Sequence, residues 1–324
     1  MLHPGSQIDR YIVLHELGSG GMARVYAVRH AVLGTRHALK VLHTTDASVR
    51  ERLIREGRFQ ASIDTAHIVP VTDVLDVRGS PALLMPLVDG CALDQLLEAH
   101  RPSEDDAMAL FVGITRGVAA AHEAGVVHRD LKPANVLLEL RRGQVVPKVA
   151  DFGIAKDQML SGATQVGVFM GTPLYASPEQ LVDASSIDHR ADIWALGVML
   201  VELLTGQRAF SASTFGQLMS VVAAGRWDSQ HVPERWRRLT ERMLEPDPAR
   251  RVGSVQEVLR EVGDRAALSL DSAVAGVVRG HIEARTRSTS PVPSQSATTY
   301  GEIGSAETLP PPSHNLPSAR DVFV

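Results

Sequence analysis

The spacing of apolar residues predicts that the first part of the chain is rich in β-strands. Short apolar runs flank a glycine cluster, as strands around a turn do. Strands are predicted at residues 11–14, 24–28 and 37–42. The stretch 48–63 carries apolar residues among charged ones, which predicts a partly buried helix. We therefore expect a small β-rich lobe at about residues 11–87, with one helix inserted.

Helical periodicity dominates from Ala92 onward. Helices are predicted at residues 105–124, 191–204, 233–244 and 255–262. This order places the chain in the α+β class, with a larger and mainly helical lobe at about 92–262. The stretch 285–320 is dense in Ser, Thr and Pro, so it buries too little surface to offset its ordering entropy. A disordered Ser/Thr/Pro-rich tail is expected over 266–324.

Composition narrows the class of protein without identifying it. Hydrophobic residues make up 44% and charged residues 22%, as in soluble globular proteins. The net charge of −4 gives no reason to expect nucleic-acid binding. Cys91 is the single cysteine; it fits a reducing compartment and suits a small buried position. Neither a signal peptide nor a membrane span is evident, so we expect a cytoplasmic protein.

Two motifs in the helical half supply the groups that phosphoryl transfer requires. The first reads HRDLKPAN from His128 to Asn135, and the second reads DFG and begins at Asp151, sixteen residues after Asn135. Asp130 would accept or orient the proton of an attacking hydroxyl, and Lys132 would neutralise the transferred phosphoryl group. Asn135 and Asp151 would hold Mg²⁺, a hard cation that prefers oxygen ligands. Chance rarely produces both motifs in this order and spacing.

The β-rich half carries weaker signals for nucleotide binding. Glycines in the stretch 18–21 would let backbone amides approach phosphate oxygens, although an ordinary hairpin turn explains them equally well. Lys40 lies in an apolar strand and needs a partner if it is buried. Glu56 on the following helix is the obvious partner, but spacing alone does not exclude Glu16 or Glu51.

Taken together, these motifs resemble those of the eukaryotic-type (Hanks-type) serine/threonine protein kinases. Their sequences are most similar to those of the bacterial members. The resemblance covers residues 11–262 and includes GTPLYASPEQ at 171–180, DIWALG at 192–197 and DPARR at 247–251. It implies the bilobal protein kinase fold and transfer of phosphate from ATP, with Mg²⁺ or alternatively Mn²⁺, to Ser or Thr of protein substrates. Lys132 and Thr172 are typical of the serine/threonine class. Dimerisation for trans-autophosphorylation is compatible with the family.

The resemblance also implies a nucleotide site. Lys40 would hold the α- and β-phosphates and pair with Glu56, while Met85 would be the gatekeeper beside the adenine. The complete set of residues expected at the nucleotide is Leu17, Gly18, Ser19, Gly20, Gly21, Val25, Ala38, Lys40, Glu56, Met85, Pro86, Val88 and Leu137.

Further implied roles concern support and control of the site. Glu179 would pair with Arg250, and Asp192 would accept hydrogen bonds from backbone amides of the catalytic loop. Arg129 beside the catalytic aspartate implies control by phosphorylation of the segment between Asp151 and Glu179. Thr164 is the first candidate for that phosphorylation and Ser161 the second.

Three positions depart from the family pattern. Ala23 replaces the third glycine of the phosphate loop, and Pro86 stands where glutamate is frequent. Gln60 stands where active kinases place an apolar residue toward Phe152. A polar side chain there either weakens the active position of the helix or finds a local partner, and a harmless variation is the favoured interpretation.

Two other functions remain open from the sequence. A pseudokinase would bind nucleotide or partners as a scaffold, but it would be expected to lack one of the groups Lys40, Asp130, Asn135 and Asp151. A kinase-like enzyme acting on a small molecule would not need the segment 172–179, which is typical of a docking platform for a peptide hydroxyl.

Overall fold

The computed structural model describes residues 1–21, 23–44, 46–152, 174–182, 187–263 and 272–289. The first lobe is an antiparallel six-stranded sheet in the order β1-β2-β3-β4-β6-β5. Its strands are β1 Gln7–Ile8, β2 Tyr11–Ser19, β3 Ala23–His30, β4 Arg36–Leu42, β5 Asp73–Val77 and β6 Ser80–Pro86. Helix α1, Ala47–Ser62, lies between β4 and β5 in the chain. The three predicted strands and the predicted helix are present, whereas β1, β5 and β6 were not predicted.

Alternation along the strands gives this sheet two apolar faces. One face, which we call the outer face, carries Tyr26 and Leu39 and forms a cluster with Val13 and Val28. The opposite, inner face belongs to a second cluster that includes Leu53 of α1 and Met85 of β6. Because successive side chains of a strand point to opposite faces, Val25 and Lys40 lie on the inner face.

The second lobe is mainly helical. Its helices are α2 Leu93–Ala99, α3 Glu104–Glu123, α4 Pro178–Val182, α5 Arg190–Thr205, α6 Phe215–Ala223, α7 Glu234–Met243 and α8 Val255–Val262, with a further helix α9 at Ser272–Thr289. A three-stranded sheet of β7 Gly90–Ala92, β8 Val136–Arg141 and β9 Gln144–Val149 adjoins them. The fold is therefore the α+β bilobal arrangement that the sequence predicted.

Helices α3 and α5 form the centre of this lobe. The side chain of Ser103 accepts a hydrogen bond from Asp106 N and caps the start of α3, where three acidic residues also favour the helix dipole. Helix α5 ends at Gly206, whose φ of 69° suits the left-handed turn that closes a helix. Both helices contribute fully buried residues to one core, among them Phe111 and Trp194.

Helix α9 corrects the predicted onset of the tail. Val274 and Val278 are fully buried in the core of the second lobe, and Arg285 donates a hydrogen bond to the carbonyl oxygen of Gly90 in β7. Burial, together with the positive charge of Arg285, lowers the pKa of His15 in β2. Residues 272–289 therefore belong to the folded protein, and the expected disorder at 290–324 lies outside the described residues.

Two predictions about the chain as a whole can be compared with the structure. Cys91 is buried, as expected, and burial raises the pKa of its thiol to about 11. Among the residues that the structure describes, no helix has both the length and the apolar character to cross a bilayer.

Candidate active site

The catalytic loop is held by one buried carboxylate. Asp192, in the first turn of α5, is 1% exposed. Its Oδ2 accepts hydrogen bonds from His128 N and its Oδ1 from Arg129 N, each at 2.8 Å. The Nε2 of His122 in α3 lies 2.8 Å from the same Oδ2. These bonds confirm the role implied for Asp192, while the contribution of His122 was not predicted.

The surroundings of Asp192 and His128 determine their protonation states. Burial alone would raise the pKa of Asp192, but the hydrogen bonds that it accepts from the side chain of His122 and the backbone amide of His128 outweigh burial and lower that pKa. Burial lowers the pKa of His128 and so favours the neutral ring. His128 Nδ1 accepts from Asp130 N at 3.2 Å, so the proton resides on Nε2, which lies 3.0 Å from the oxygen of Ala150.

Asp130 lies directly beside two of the other predicted residues. Lys132 Nζ lies 3.2 Å from Asp130 Oδ2, and Asn135 Nδ2 lies 3.3 Å from the same oxygen. Asn135 Nδ2 also donates to the backbone oxygen of Asp130 at 2.7 Å. A short 3-10 helix, Pro133–Asn135, turns the chain so that these side chains converge.

Asp151 follows strand β9 and faces the first lobe. Lys40 Nζ lies 2.8 Å from Asp151 Oδ1, so the two lobes meet at this ion pair. The next residue, Phe152, packs on the ring of His128 with centroids 4.7 Å apart. Arg129 and Asp151 have φ values of 62° and 57°, a left-handed conformation that is uncommon outside glycine and that concentrates at functional sites.

The oxygen atoms at this edge of the cleft fit a hard divalent cation. The Nδ2 of Asn135 is fixed by Asp130, which leaves its Oδ1 as the atom that can bind a cation. Asp151 supplies a carboxylate, of which one oxygen contacts Lys40. An amide oxygen and a carboxylate, completed by phosphate oxygens and water, are ligands that Mg²⁺ prefers.

The inner face of the first lobe brings the predicted adenine residues together. Strand pairing places Ala38 opposite Met85 and Val25 opposite Lys40. Met85, Val88 and Leu137 belong to the same apolar cluster, so residues of both lobes form one surface. Pro86 ends strand β6 beside them. Of the other residues predicted at the nucleotide, Leu17, Gly18 and Ser19 end strand β2, and Gly20 and Gly21 lie in the turn that follows it.

Some predicted residues lie beyond what the structure describes. Helix α1 contains Glu56, but its side chain is outside the described part, so its pairing with Lys40 stays a prediction. Thr164, Ser161 and Thr172 all lie in the undescribed stretch 153–173.

The predicted partner of Glu179 is wrong by one residue. Arg251 Nη1 donates to Glu179 Oε1 at 2.7 Å, and Arg251 Nη2 donates to Oε2 at 3.0 Å. The Arg251 side chain is fully buried and also donates to the backbone oxygen of Glu245. Arg250 instead is 72% exposed and lies 3.3 Å from the carboxylate of Glu245. Burial therefore selects Arg251, which two adjacent arginines in the sequence could not reveal.

Gln180 is a further contact that sequence reasoning missed. Its Nε2 donates to the backbone oxygen of Arg129 at 2.8 Å, and its Oε1 accepts from Ser177 N at 3.0 Å. It therefore links the start of α4 to the catalytic loop. Its place at the end of the motif GTPLYASPEQ was the available signal.

Gln60, which departs from the family pattern, has a local hydrogen-bond partner. It is buried, and its Nε2 donates to the backbone oxygen of Val69 at 2.7 Å. A narrow gap lined by Gln60, Ile63, Val126 and Phe152 separates α1 from the second lobe. The amide thus ties α1 to the segment that precedes β5.

Comparisons with known proteins agree with this geometry. A family model described as protein kinase domain matches residues 11–262. The chain is 36% identical over 218 residues to serine/threonine-protein kinase pkn2 of Myxococcus xanthus, an alignment that covers 65% of this chain and 26% of that protein. It is 38% identical over 211 residues to the probable serine/threonine-protein kinase PknB of Lactococcus lactis, covering 64% of this chain and 33% of that protein.

The solved structures that resemble this fold include a bacterial kinase domain. The crystal structure of the Mycobacterium tuberculosis PknI kinase domain has a TM-score of 0.62 and 28% sequence identity, covering 82% of this chain and 100% of that one. The matched part of the chain spans only about a quarter to a third of the length of the two curated relatives above.

Proposed function

This chain belongs to the protein kinase family, and we propose that it transfers the γ-phosphate of ATP to serine or threonine hydroxyls of proteins. The observation that carries the proposal is the convergence of Lys132 and Asn135 on the carboxylate of Asp130. Membership of the family implies the use of ATP, typically together with a divalent metal. The names of the relatives support the serine/threonine class.

The catalytic loop supplies the groups for the chemical step. Asp130 orients the acceptor hydroxyl and accepts its proton as the bond from that oxygen to the γ-phosphorus forms and the bond from the γ-phosphorus to the bridging oxygen of the β-phosphate breaks, which releases ADP. Lys132, 3.2 Å from Asp130, places a positive charge where the transferred group accumulates negative charge. Because Asp192 and Gln180 hold the backbone of Arg129, these charges are positioned before the substrate arrives.

The first lobe and Asp151 supply the nucleotide side of the reaction. Lys40 would hold the α- and β-phosphates, and Met85, Val88 and Leu137 would enclose the adenine. Asn135 and Asp151 would hold Mg²⁺, which neutralises phosphate charge when it is bound. Glu56 would hold Lys40 in place, a proposal that rests on the family pattern.

The proposal is tested by incubating the full chain with Mg-ATP labelled at the γ-phosphate and a generic basic protein, followed by phosphoamino-acid analysis. We expect phosphoserine or phosphothreonine, and a fall of about 10²–10⁴-fold in the rate for Asp130→Asn. Asp64→Asn makes the same change at an exposed position and should leave the rate unchanged. Nucleotide binding without transfer by the unsubstituted chain would instead identify a scaffold.

Control of the enzyme is proposed to involve phosphorylation of Thr164, with Ser161 as the second candidate. A phosphate there would pair with Arg129 and order the segment that follows Asp151. Thr164→Ala should therefore lose most of its activity toward the basic protein, while Thr164→Ser should keep it because the hydroxyl remains. Undiminished activity of Thr164→Ala would exclude this site.

A further inference from the structure

A pocket on the outer face of the six-stranded sheet has no role in the proposed reaction. Its volume is about 470 Å³. Its apolar part includes Tyr26, Val41 and Val77. Strand alternation puts Tyr26 and Val41 on the face opposite Val25 and Lys40, so the sheet itself separates this pocket from the nucleotide site.

The polar part of the pocket is cationic. Arg24 of β3, His43 after β4 and Arg78 in the β5–β6 turn all line it, together with Ser80. No carboxylate is among the residues that line this pocket in the described part of the chain. Three elements that are separate in sequence thus bring Arg24, His43 and Arg78 to one pocket, where the charge of the two arginines would attract an anion.

Asp76, near the end of strand β5, does not line the pocket and is engaged elsewhere. Asp76 Oδ2 lies 2.7 Å from Arg50 Nη1, and Asp76 Oδ1 accepts from Gly79 N at 2.7 Å. Its two oxygens therefore serve α1 and the turn, and the pocket keeps its positive character.

Arg24 supplies an independent observation. Its Nε is buried from solvent and has no hydrogen-bond partner among the described residues. Buried donors are nearly always paired, because an unpaired one costs about 1–3 kcal/mol. A guanidinium presents its donors in a planar fork that matches the oxygens of a phosphate. Because this atom has almost no surface open to solvent, an anion in the pocket would reach it only after a shift of the Arg24 side chain.

We propose that this pocket binds a phosphate monoester, with the phosphate on Arg24 and Arg78 and the organic group on the apolar part. The hydroxyl of Ser80 and the ring of His43 provide further polar groups. Because a water molecule occupies about 30 Å³ in the liquid, the pocket has room for an organic group beside the phosphate. This inference does not depend on the proposed kinase activity.

Isothermal titration of the full chain with phenyl phosphate tests the proposal, in saturating Mg-ADP so that the nucleotide site is filled. We expect binding that weakens at least tenfold in Arg24→Met and in Arg78→Asn. Arg29→Met makes the first of these changes on the same strand, at an exposed position outside the pocket, and should bind as the unsubstituted chain does. Arg78 has a φ of 55°, a conformation that asparagine tolerates, so this variant keeps its fold even if Arg24→Met does not.

Absence of phenyl phosphate binding, or equal binding by all four proteins, would overturn the proposal. Benzoate should bind at least fivefold more weakly than phenyl phosphate, and equal affinity would overturn the assignment to phosphate. A phosphothreonine peptide then separates the sources of the ligand. If the peptide binds more tightly than phenyl phosphate, the ligand of the site is a phosphorylated protein segment. If the peptide binds more weakly, the ligand is a small phosphorylated metabolite.

Discussion

The two halves of the candidate active site are held in different ways. The catalytic loop is attached to Asp192, which is 1% exposed and receives two backbone amides. Among the side chains that the structure describes, Lys40 on the sheet instead pairs with Asp151, and these two side chains are 21% and 39% exposed. The glycines at the β2–β3 turn are exposed as well. The catalytic loop is therefore fixed by buried hydrogen bonds, whereas the described contacts on the sheet side are partly exposed to solvent.

The largest effect on stability is expected from Arg251→Met. Removing one partner of a buried ion pair leaves Glu179 without its counter-charge, which costs about 3–5 kcal/mol. Urea unfolding measures this loss. Arg250→Met is the matched control, because its exposed pair with Glu245 should contribute about 1 kcal/mol or less. Equal losses in the two variants would contradict the assignment of Arg251 as the partner.

Asp192→Asn should have the second largest effect on stability and should also lower activity. The substitution keeps the volume but weakens hydrogen bonds to a charged acceptor, at an expected cost of about 2–3 kcal/mol. The kinase assay above measures the second effect, since the position of Asp130 depends on this support. A stable variant with full activity would show that the catalytic loop does not need Asp192.

The lowered pKa of Asp192 predicts that the contribution of this residue to the free energy of unfolding depends on pH. The pKa of Asp192 is lowered in the folded chain, so the unfolded chain binds the proton more readily. Its contribution to stability is therefore complete above its unfolded pKa of about 3.9 and is lost as the pH falls through the lower, folded pKa. The difference in unfolding free energy between the unsubstituted chain and Asp192→Asn should shrink below about pH 4. A difference that grows on acidification would reverse this sign.

The sequence predicted the residues of the catalytic loop better than the residues that hold this loop and the following segment in place. Asp130, Lys132 and Asn135 are adjacent along the chain, so spacing alone placed them together. Arg251 and His122 contact partners that are 72 and 70 residues away, and nothing local distinguishes Arg251 from its neighbour. Such choices depend on burial, which only the packed structure determines.

The same reason explains what was missed in the fold. Strand β6 pairs with β4 over a long stretch of sequence, and β5 pairs in turn with β6, while the apolar pattern of each strand is short. The apolar residues of helix α9 lie before the Ser/Thr/Pro-rich stretch 285–320, but the predicted tail began at residue 266 and included them. Its buried Val274 and Val278 have the spacing of one helix turn, which is the signal that could have identified it.

Substitutions in helix α9 test whether the cooperatively folded unit extends beyond residues 11–262, which match the family model. Val278 is fully buried in the core of the second lobe, so Val278→Ala should cost about 1–3 kcal/mol through lost burial and the cavity it leaves. Arg279→Ala changes the next, exposed residue and should stay within about 0.5 kcal/mol. Two variants that unfold at the same urea concentration as the unsubstituted chain would show that α9 is not part of the cooperative unit.

The smallest change in stability is expected on the sheet side, from Lys40→Met. Because the ion pair with Asp151 is partly exposed, its loss should cost about 1 kcal/mol or less. Activity should nevertheless fall by about 10²–10³-fold, since a charge aimed at the phosphates is worth most during transfer. Urea unfolding and the kinase assay on the same preparation separate the two effects. A stability loss as large as that of Asp192→Asn would show that Lys40 is a structural residue, and the contrast between the two halves would disappear.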